Sequence, residues 1–565
     1  MSFPMPTLFV DVLKGRSSNT RVLEQLRAQG GAADLKRAMN AARRIRDPDY
    51  SLRAFYDDVI AAFPELGWYM VQQPRVEKTL HEPTSSSALP ETEYRRTIGA
   101  LFAVYWLSRI GIDGERGFSF GVDGGWTANK APAGCEGLAD VPFARMSAEQ
   151  KRLGFFCNTP WKKLEDLMVD SGVLFREAGG AVRVSAERMA ALLVLTAFHD
   201  IMKVELLRPS VAAEHAPYLG FAAGDTINDH DTALGYVLDH YAELLPSFQL
   251  VQPELQRVIR FTQAKFRFNN GWLVQGEAPP AATFAHFKQC ICNQSIDAPD
   301  IAFYFAHWLT DLAGAEPTPL RGSEKFTLKF PHKVLASFIN SFQVVERLAD
   351  SSETDVLESY LRQRWRERAP PLGAEPSGPH AVALMRLVLQ AQNERAQEGA
   401  YEAFWRMRAS DRAVLESEMT QTGLAGQTFA GQEGLAPLLP SFLVYYAPAL
   451  MQSLSADHGD EALRMLAELY RQARKIWPHD ATHESGRTVT IRIDVIKDLG
   501  IDAIQDVYTY GEGWFLTKLN NLEGAVEKRP LSAADLPLHG FDQTQRQLLE
   551  LWRTYRTDQN QTGVV

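Results

Sequence analysis

Ser185-Ala-Glu-Arg-Met-Ala-Ala-Leu-Leu-Val-Leu-Thr-Ala-Phe198-His199-Asp200-Ile201-Met202-Lys203-Val204 is the stretch on which the fold turns. Ser185 is placed to cap a helix and Glu187 falls in the first turn, while Met189, Leu192, Leu193, Thr196 and Ala197 recur at helical spacing. The pattern predicts a core helix that ends on an adjacent His and Asp. Neighbours on a helix diverge, but where the helix stops the backbone can turn both side chains toward one cation. A carboxylate held in the interior costs desolvation unless a cation offsets it, so His199 and Asp200 point to a metal site. Lys203, one turn beyond His199, is positioned to neutralise an anionic ligand beside that metal.

The same dipeptide occurs twice more, at His230-Asp231 and His479-Asp480. The last follows Pro478 in a polar stretch and reads as an exposed loop. His230 opens a second helical pattern with Leu234, Val237 and Tyr241 on its face. His240 lies roughly 80° around that helix from His230, so the two do not suit one ion. His230 is therefore taken as a ligand and His240 as a more remote or surface residue. Further on, Asp300-Ile-Ala-Phe-Tyr-Phe-Ala-His307-Trp-Leu-Thr-Asp311 places Asp300, His307 and Asp311 on one helix face at i, i+7 and i+11. Seven of the thirteen histidines lie from His199 to His332, which concentrates metal-ligand chemistry in this region.

An apolar helix followed by His-Asp-Ile-x-Lys-Val resembles the HD-domain superfamily. The resemblance implies a multi-helical fold binding a divalent metal ion, with Mn, Mg, Fe, Co and Zn all open. It also implies phosphohydrolase activity on a small anionic substrate, a phosphorylated molecule or nucleotide. The family's doublet falls on His199 and Asp200 and its late Asp on Asp311. Its early His has no counterpart here. The preceding helix, Trp161-Lys-Lys-Leu-Glu165-Asp166-Leu-Met-Val-Asp170, offers carboxylates instead, so Asp166 or Asp170 is expected in its place, with a preference for harder cations. Two other outcomes stay open. One is an iron oxygenase related to myo-inositol oxygenase, which His-Asp-x-x-Lys followed by Gly224-Asp225-Thr226 resembles. The other is an HD-type module that binds or assembles without catalysis.

Additional contacts to an anionic substrate are sought in two basic segments. One is Arg260-Phe-Thr-Gln-Ala-Lys265-Phe-Arg267-Phe, where aromatics alternate with cations. The other is Arg321-Gly-Ser-Glu-Lys325, at the exit of the Asp311 helix.

The remaining composition narrows the class. The 565 residues are 45% hydrophobic and 23% charged, as in ordinary globular proteins. Lys and Arg number 59 against 69 Asp and Glu, and the net charge of -10 disfavours nucleic-acid binding through a basic surface. No apolar run is long enough to span a membrane, and the first residues lack a secretory pattern, so a cytoplasmic protein is expected. Four cysteines, without Cys-x-x-Cys pairs, argue against structural zinc and for a reducing compartment.

The predicted fold is mainly α. A helical region over 1–90 precedes an HD-like helical domain over 91–345. A charged helix and a Pro/Gly linker follow at 346–380, and then a helical accessory domain over 381–565. Gly117 to Gly134 reads as a long loop without phosphate-loop spacing. Thr488-Val-Thr-Ile-Arg-Ile-Asp alternates like a short strand.

Overall fold

In the computed structural model the chain is mainly helical. The structure describes residues 20–71, 90–132, 143–263 and 270–432, with isolated exceptions at 295, 331 and 392. Beyond these it describes 440–452 apart from 446, 459–476, and the strands at 488–492, 516–520 and 526–529. Lys265, Arg267 and the His479-Asp480 pair lie outside the described residues.

The chain forms two compact units. One comprises 1–265 with 294–342, the other 266–293 with 343–565. The N-terminal 90 residues thus share a unit with the central helices, and 266–293 separates from them.

The first unit is built around the helix read from the opening stretch, which spans Ala186–Phe198. Every residue from Met189 to Phe198 is buried, so beyond its first turn the helix is enclosed on all sides. Ser185 stands at its N-cap position but its hydroxyl makes no capping bond. In chain order the elements that matter here are α1 (Leu35–Arg44), α2 (Leu52–Ala62), α3 (Pro90–Ser108), α4 (Trp161–Asp170), α5 (Ala186–Phe198), α6 (His230–His240), α7 (Pro253–Gln263) and α8 (Ala298–Ala313). α1, α3, α7 and α8 all pack on α5 and exclude water from it. Side chains start several of these helices. Asp34 accepts from Lys36 N and Arg37 N, Ser51 from Ala54 N, Asp229 from Thr232 N and Asp297 from Asp300 N. A two-stranded antiparallel hairpin, β1 (Leu174–Arg176) with β2 (Val182–Val184), connects α4 to α5.

The glycine-rich segment after α3 is not all loop, because Gly114–Phe120 is helical. Gly117 lies flat on the Trp106 indole, where a Cβ would sit 2.4 Å from the ring. The glycine serves close packing rather than phosphate binding.

The second unit holds α9 (Glu353–Arg366), α10 (Ala381–Gln390), α11 (Glu394–Arg406), α12 (Ala409–Met419) and α13 (Gly459–Ile476). It also contains a four-stranded mixed sheet in the order β3 (Ser441–Tyr445), β4 (Thr488–Arg492), β5 (Leu516–Asn520), β6 (Val526–Arg529). β3 runs parallel to β4 and the other pairs are antiparallel. Only β4 was legible as a strand; its neighbours carry too little alternation.

The Pro/Gly stretch after α9 is not a linker. Arg362 and Arg366 both donate to Glu375, at 2.7 and 2.5 Å, and tie the stretch to α9 within one unit. Fully buried Arg386 donates to the carbonyls of Gly276, Glu277 and Met419, so the 266–293 segment is bonded to the C-terminal helices. No helix among the described residues is long and apolar enough to cross a membrane. Cys157 is disulfide-bonded while Cys290 and Cys292 are free thiols, so the reducing compartment read from the low cysteine number does not extend to Cys157.

Candidate metal centre

The end of α5 turns as the sequence requires. His199 keeps helical backbone angles, whereas Asp200, at φ -102° and ψ 7°, opens a 3-10 turn over Ile201–Lys203. That change of pitch lets both side chains face α8. His199 Nε2 lies 3.0 Å from Asp311 Oδ1 and 3.4 Å from Asp200 Oδ2, so residues 112 apart in sequence meet at one point. One ligand atom from each of the three falls within 4.8 Å of the others.

The imidazole is oriented from behind. His199 Nδ1 is 2.8 Å from the Thr196 carbonyl, to which its N–H donates, leaving Nε2 to face the two carboxylates. Burial opposes a charge on this ring, but Asp200 and then Asp311 outweigh it and raise its pKa to about 10. In the cation-free protein a proton therefore bridges the position that a metal would take. An imidazole nitrogen with two carboxylates suits Mn, Fe, Co or Zn, and the arrangement fits a divalent cation.

The site has a buried floor and an open rim. His199 is 1% exposed and Asp200 4%, while the Asp311 side chain is 33% exposed. His230, at the start of α6, brings Nε2 to 3.7 Å from Asp200 Oδ1 and 3.2 Å from Asp231 Oδ1. With Asp229 and Asp231 it forms a second metal-capable group on the rim. Lys203 Nζ donates to Asp200 Oδ2 at 2.6 Å, so in this state it neutralises the doublet's own carboxylate.

Other expected residues lie elsewhere. Asp166 is engaged by Lys162 and Arg176, at 2.7 and 2.6 Å, and its pKa is lowered by them against the opposing effect of burial. Asp170 is exposed at the end of α4, so neither takes the place of the missing His. Arg321 is exposed, and its carbonyl accepts from Arg152 at 2.7 Å. The Lys325 ammonium stacks on the Phe330 ring at 5.3 Å. Asp300, on the same face as Asp311, is an anchor. Its two oxygens accept from Arg188 and Arg257 at 2.9 and 2.7 Å. His240 stacks on His215 with ring centroids 3.8 Å apart, in an aromatic group with Tyr236.

Three further neighbours surround the site, of which the sequence places only His307 near Asp311. The His307 ring meets His199 edge to face at 5.0 Å. Glu93 of α3 is buried, with Oε2 3.6 Å from Lys203 Nζ. Tyr69 is fully buried, and burial first, then the Asp200 charge, push its phenol well above the ordinary range. Helix-face spacing puts His307 with Asp311, whereas Glu93 stands in the acidic first turn of α3 and Tyr69 carries no local pattern that marks it. A comparison with known protein families, curated proteins and solved structures finds no match to this chain in any of the three.

Proposed function

We propose that this chain is a metal-dependent hydrolase of a small phosphorylated molecule or nucleotide, with an HD-type helical centre in its first unit. The convergence of His199 Nε2, Asp200 and Asp311 on one point carries the reading. A bound divalent cation would supply hydroxide near neutral pH and polarise the phosphoryl group. The chain's own residues do the rest. Thr196 fixes the His199 tautomer, Asp200 and Asp311 provide the negative field that draws in a cation, and the open rim at Asp311 and His230 admits the substrate. Lys203, 31% exposed, lies close enough to that rim to meet a phosphate oxygen.

The second group at Asp229, His230 and Asp231 favours a second reading, an iron oxygenase, because additional imidazole and carboxylate suit iron.

Metal analysis of the protein as purified, followed by hydrolysis of nucleotides and sugar phosphates with Mn, Mg, Co or Zn restored after chelation, tests both. Phosphate release that requires a cation and disappears in His199→Ala supports the hydrolase. Stoichiometric iron without phosphate release supports the oxygenase. Absence of any bound cation leaves a non-catalytic helical module.

A further inference from the structure

The three converging side chains leave a divalent cation short of protein ligands, and the neighbourhood contains one carboxylate that is not accounted for. Glu93 is 4% exposed, and its two oxygens have different surroundings. Oε1 accepts from Arg96 Nη1 at 2.7 Å. Oε2 is buried, makes no hydrogen bond, and faces the Lys203 ammonium at 3.6 Å. A buried carboxylate oxygen without a hydrogen bond is costly, and a helix such as α3 offers many cheaper positions for it. The same ammonium donates to Asp200 Oδ2 at 2.6 Å. Lys203 therefore stands between two buried carboxylates, one of them a member of the converging set. Tyr69, fully buried, is raised by the charges of both Asp200 and Glu93 after the effect of burial.

We propose that Glu93 is a fourth metal ligand and that Lys203 is a built-in counter-ion, occupying the cation's side of Asp200 and Glu93 until a divalent ion displaces it. The inference rests on the metal-centre reading above and adds to it a ligand and a mode of loading. Two positive charges cannot share this space at close range, so metal entry moves the ammonium off Asp200. The long Lys203 stem leads outward, and the released ammonium reaches the rim where an anionic substrate arrives. Loading the cation thus frees the group that recognises the substrate's charge.

Titration calorimetry of the full chain with Mn2+ after chelation tests this, using wild type, His199→Ala, Glu93→Gln, Lys203→Met and Lys203→Arg. Glu93→Gln is expected to weaken Mn2+ binding by about tenfold or more, since even residues outside the ligand set change affinity by that much. Lys203→Met is expected to tighten it by about tenfold or more, a competing charge having been removed, while Lys203→Arg retains the charge and stays near wild type. Lys203→Met also takes one of the compensating cations from Asp200 and Glu93, so its thermal midpoint should rise more on Mn2+ addition than that of wild type, even if the variant is weakened in chelator. Wild-type affinity in both Glu93→Gln and Lys203→Met, with binding lost in His199→Ala, overturns this inference and leaves the metal centre standing. No Mn2+ binding by wild type overturns the metal centre itself.

Discussion

Asp300 and Asp311 lie on one face of α8, and their surroundings give them opposite work. Asp300 is buried and receives two guanidinium groups, Arg188 and Arg257, which join α5 and α7 to α8. Asp300→Ala removes the carboxylate that both guanidinium groups share, Arg257 being 41% exposed and Arg188 still bonded to the Ser171 carbonyl, and loss of about 2 kcal/mol in urea unfolding is expected, below the cost of breaking a fully buried pair. Asp311→Asn removes one of the two charges that hold a proton on buried His199, so it should lower the unfolding midpoint modestly in chelator and abolish the stabilisation that Mn2+ gives wild type. The cysteines differ in a similar way. Burial pushes the Cys290 thiol up to about 11, whereas Cys292 is exposed. The thiolate is the form that reacts, so iodoacetamide at pH 8 should label Cys292 in the folded protein and reach Cys290 only after denaturation. Mass spectrometry of the peptides reads both; early labelling of Cys290 would contradict its burial. At this scale the doublet and Asp311 were legible because each ends or follows a strongly periodic apolar run. Spacing also put Asp300 on the ligand face, yet spacing carries no information about the two arginines that claim it.

Among the elements, the approach of α3 to α8 holds the site together. Gly99 and the residue after α8, Gly314, touch without side chains between them, and a Cβ on Gly314 would lie 2.2 Å from Ala100 N and 2.6 Å from Arg96 O. The contact stands within a turn of Asp311 on one helix and two turns of Glu93 on the other. Gly314→Ala has ordinary backbone angles but must push the helices apart, at a cost of about 2 kcal/mol or more. Mn2+ affinity should fall with it, although no ligand atom has changed; unchanged affinity would show that the contact does not set the Asp311 position. A different restraint acts on α9. Arg366 first and then Arg362 hold the Glu375 carboxyl below its usual range. A carboxylate lowered in the folded state contributes stability above its unfolded pKa and loses it as pH falls through the folded one. Glu375 is partly exposed, at 27%, and Arg366 reaches solvent, so no more than about 1 kcal/mol is at stake. Limited proteolysis within 367–380 should quicken below pH 4 and, at pH 7, in Glu375→Gln. The helix periods made most of these elements readable. The Pro/Gly run was misread as a linker because turn-forming composition does not reveal ion pairs that fasten a turn to its neighbour.

For the whole molecule, the mainly helical class followed from the apolar periodicities, but the division into units did not. The chain passes between the units three times, near 265, 293 and 342, and only the last lies close to a boundary suggested by composition. Segment 266–293 belongs with the C-terminal helices because Lys288 donates to Ser351 O at 2.9 Å and Arg386 to Gly276 and Glu277. Such partners are far off in sequence and leave no local pattern. A chain cut after residue 345 would keep 266–293 without those partners. It should therefore be less soluble on expression than the full chain, and a soluble, monodisperse 1–345 fragment would argue that this segment does not need the second unit.

The distance in sequence between the two halves of the candidate metal centre has a bearing on synthesis. His199 and Asp200 leave the ribosome 112 residues ahead of Asp311, an interval of roughly 6–20 s at ordinary elongation rates. During it α5, apolar over most of its surface beyond the first turn, waits for the α8 wall that will cover it, while a segment destined for the other unit is made in between. No cation can be captured by the full ligand set in that window. Nascent chains arrested between residues 200 and 311 should accordingly be clients of chaperones that hold exposed apolar helices, and the pace of translation through this region becomes part of how the protein is made.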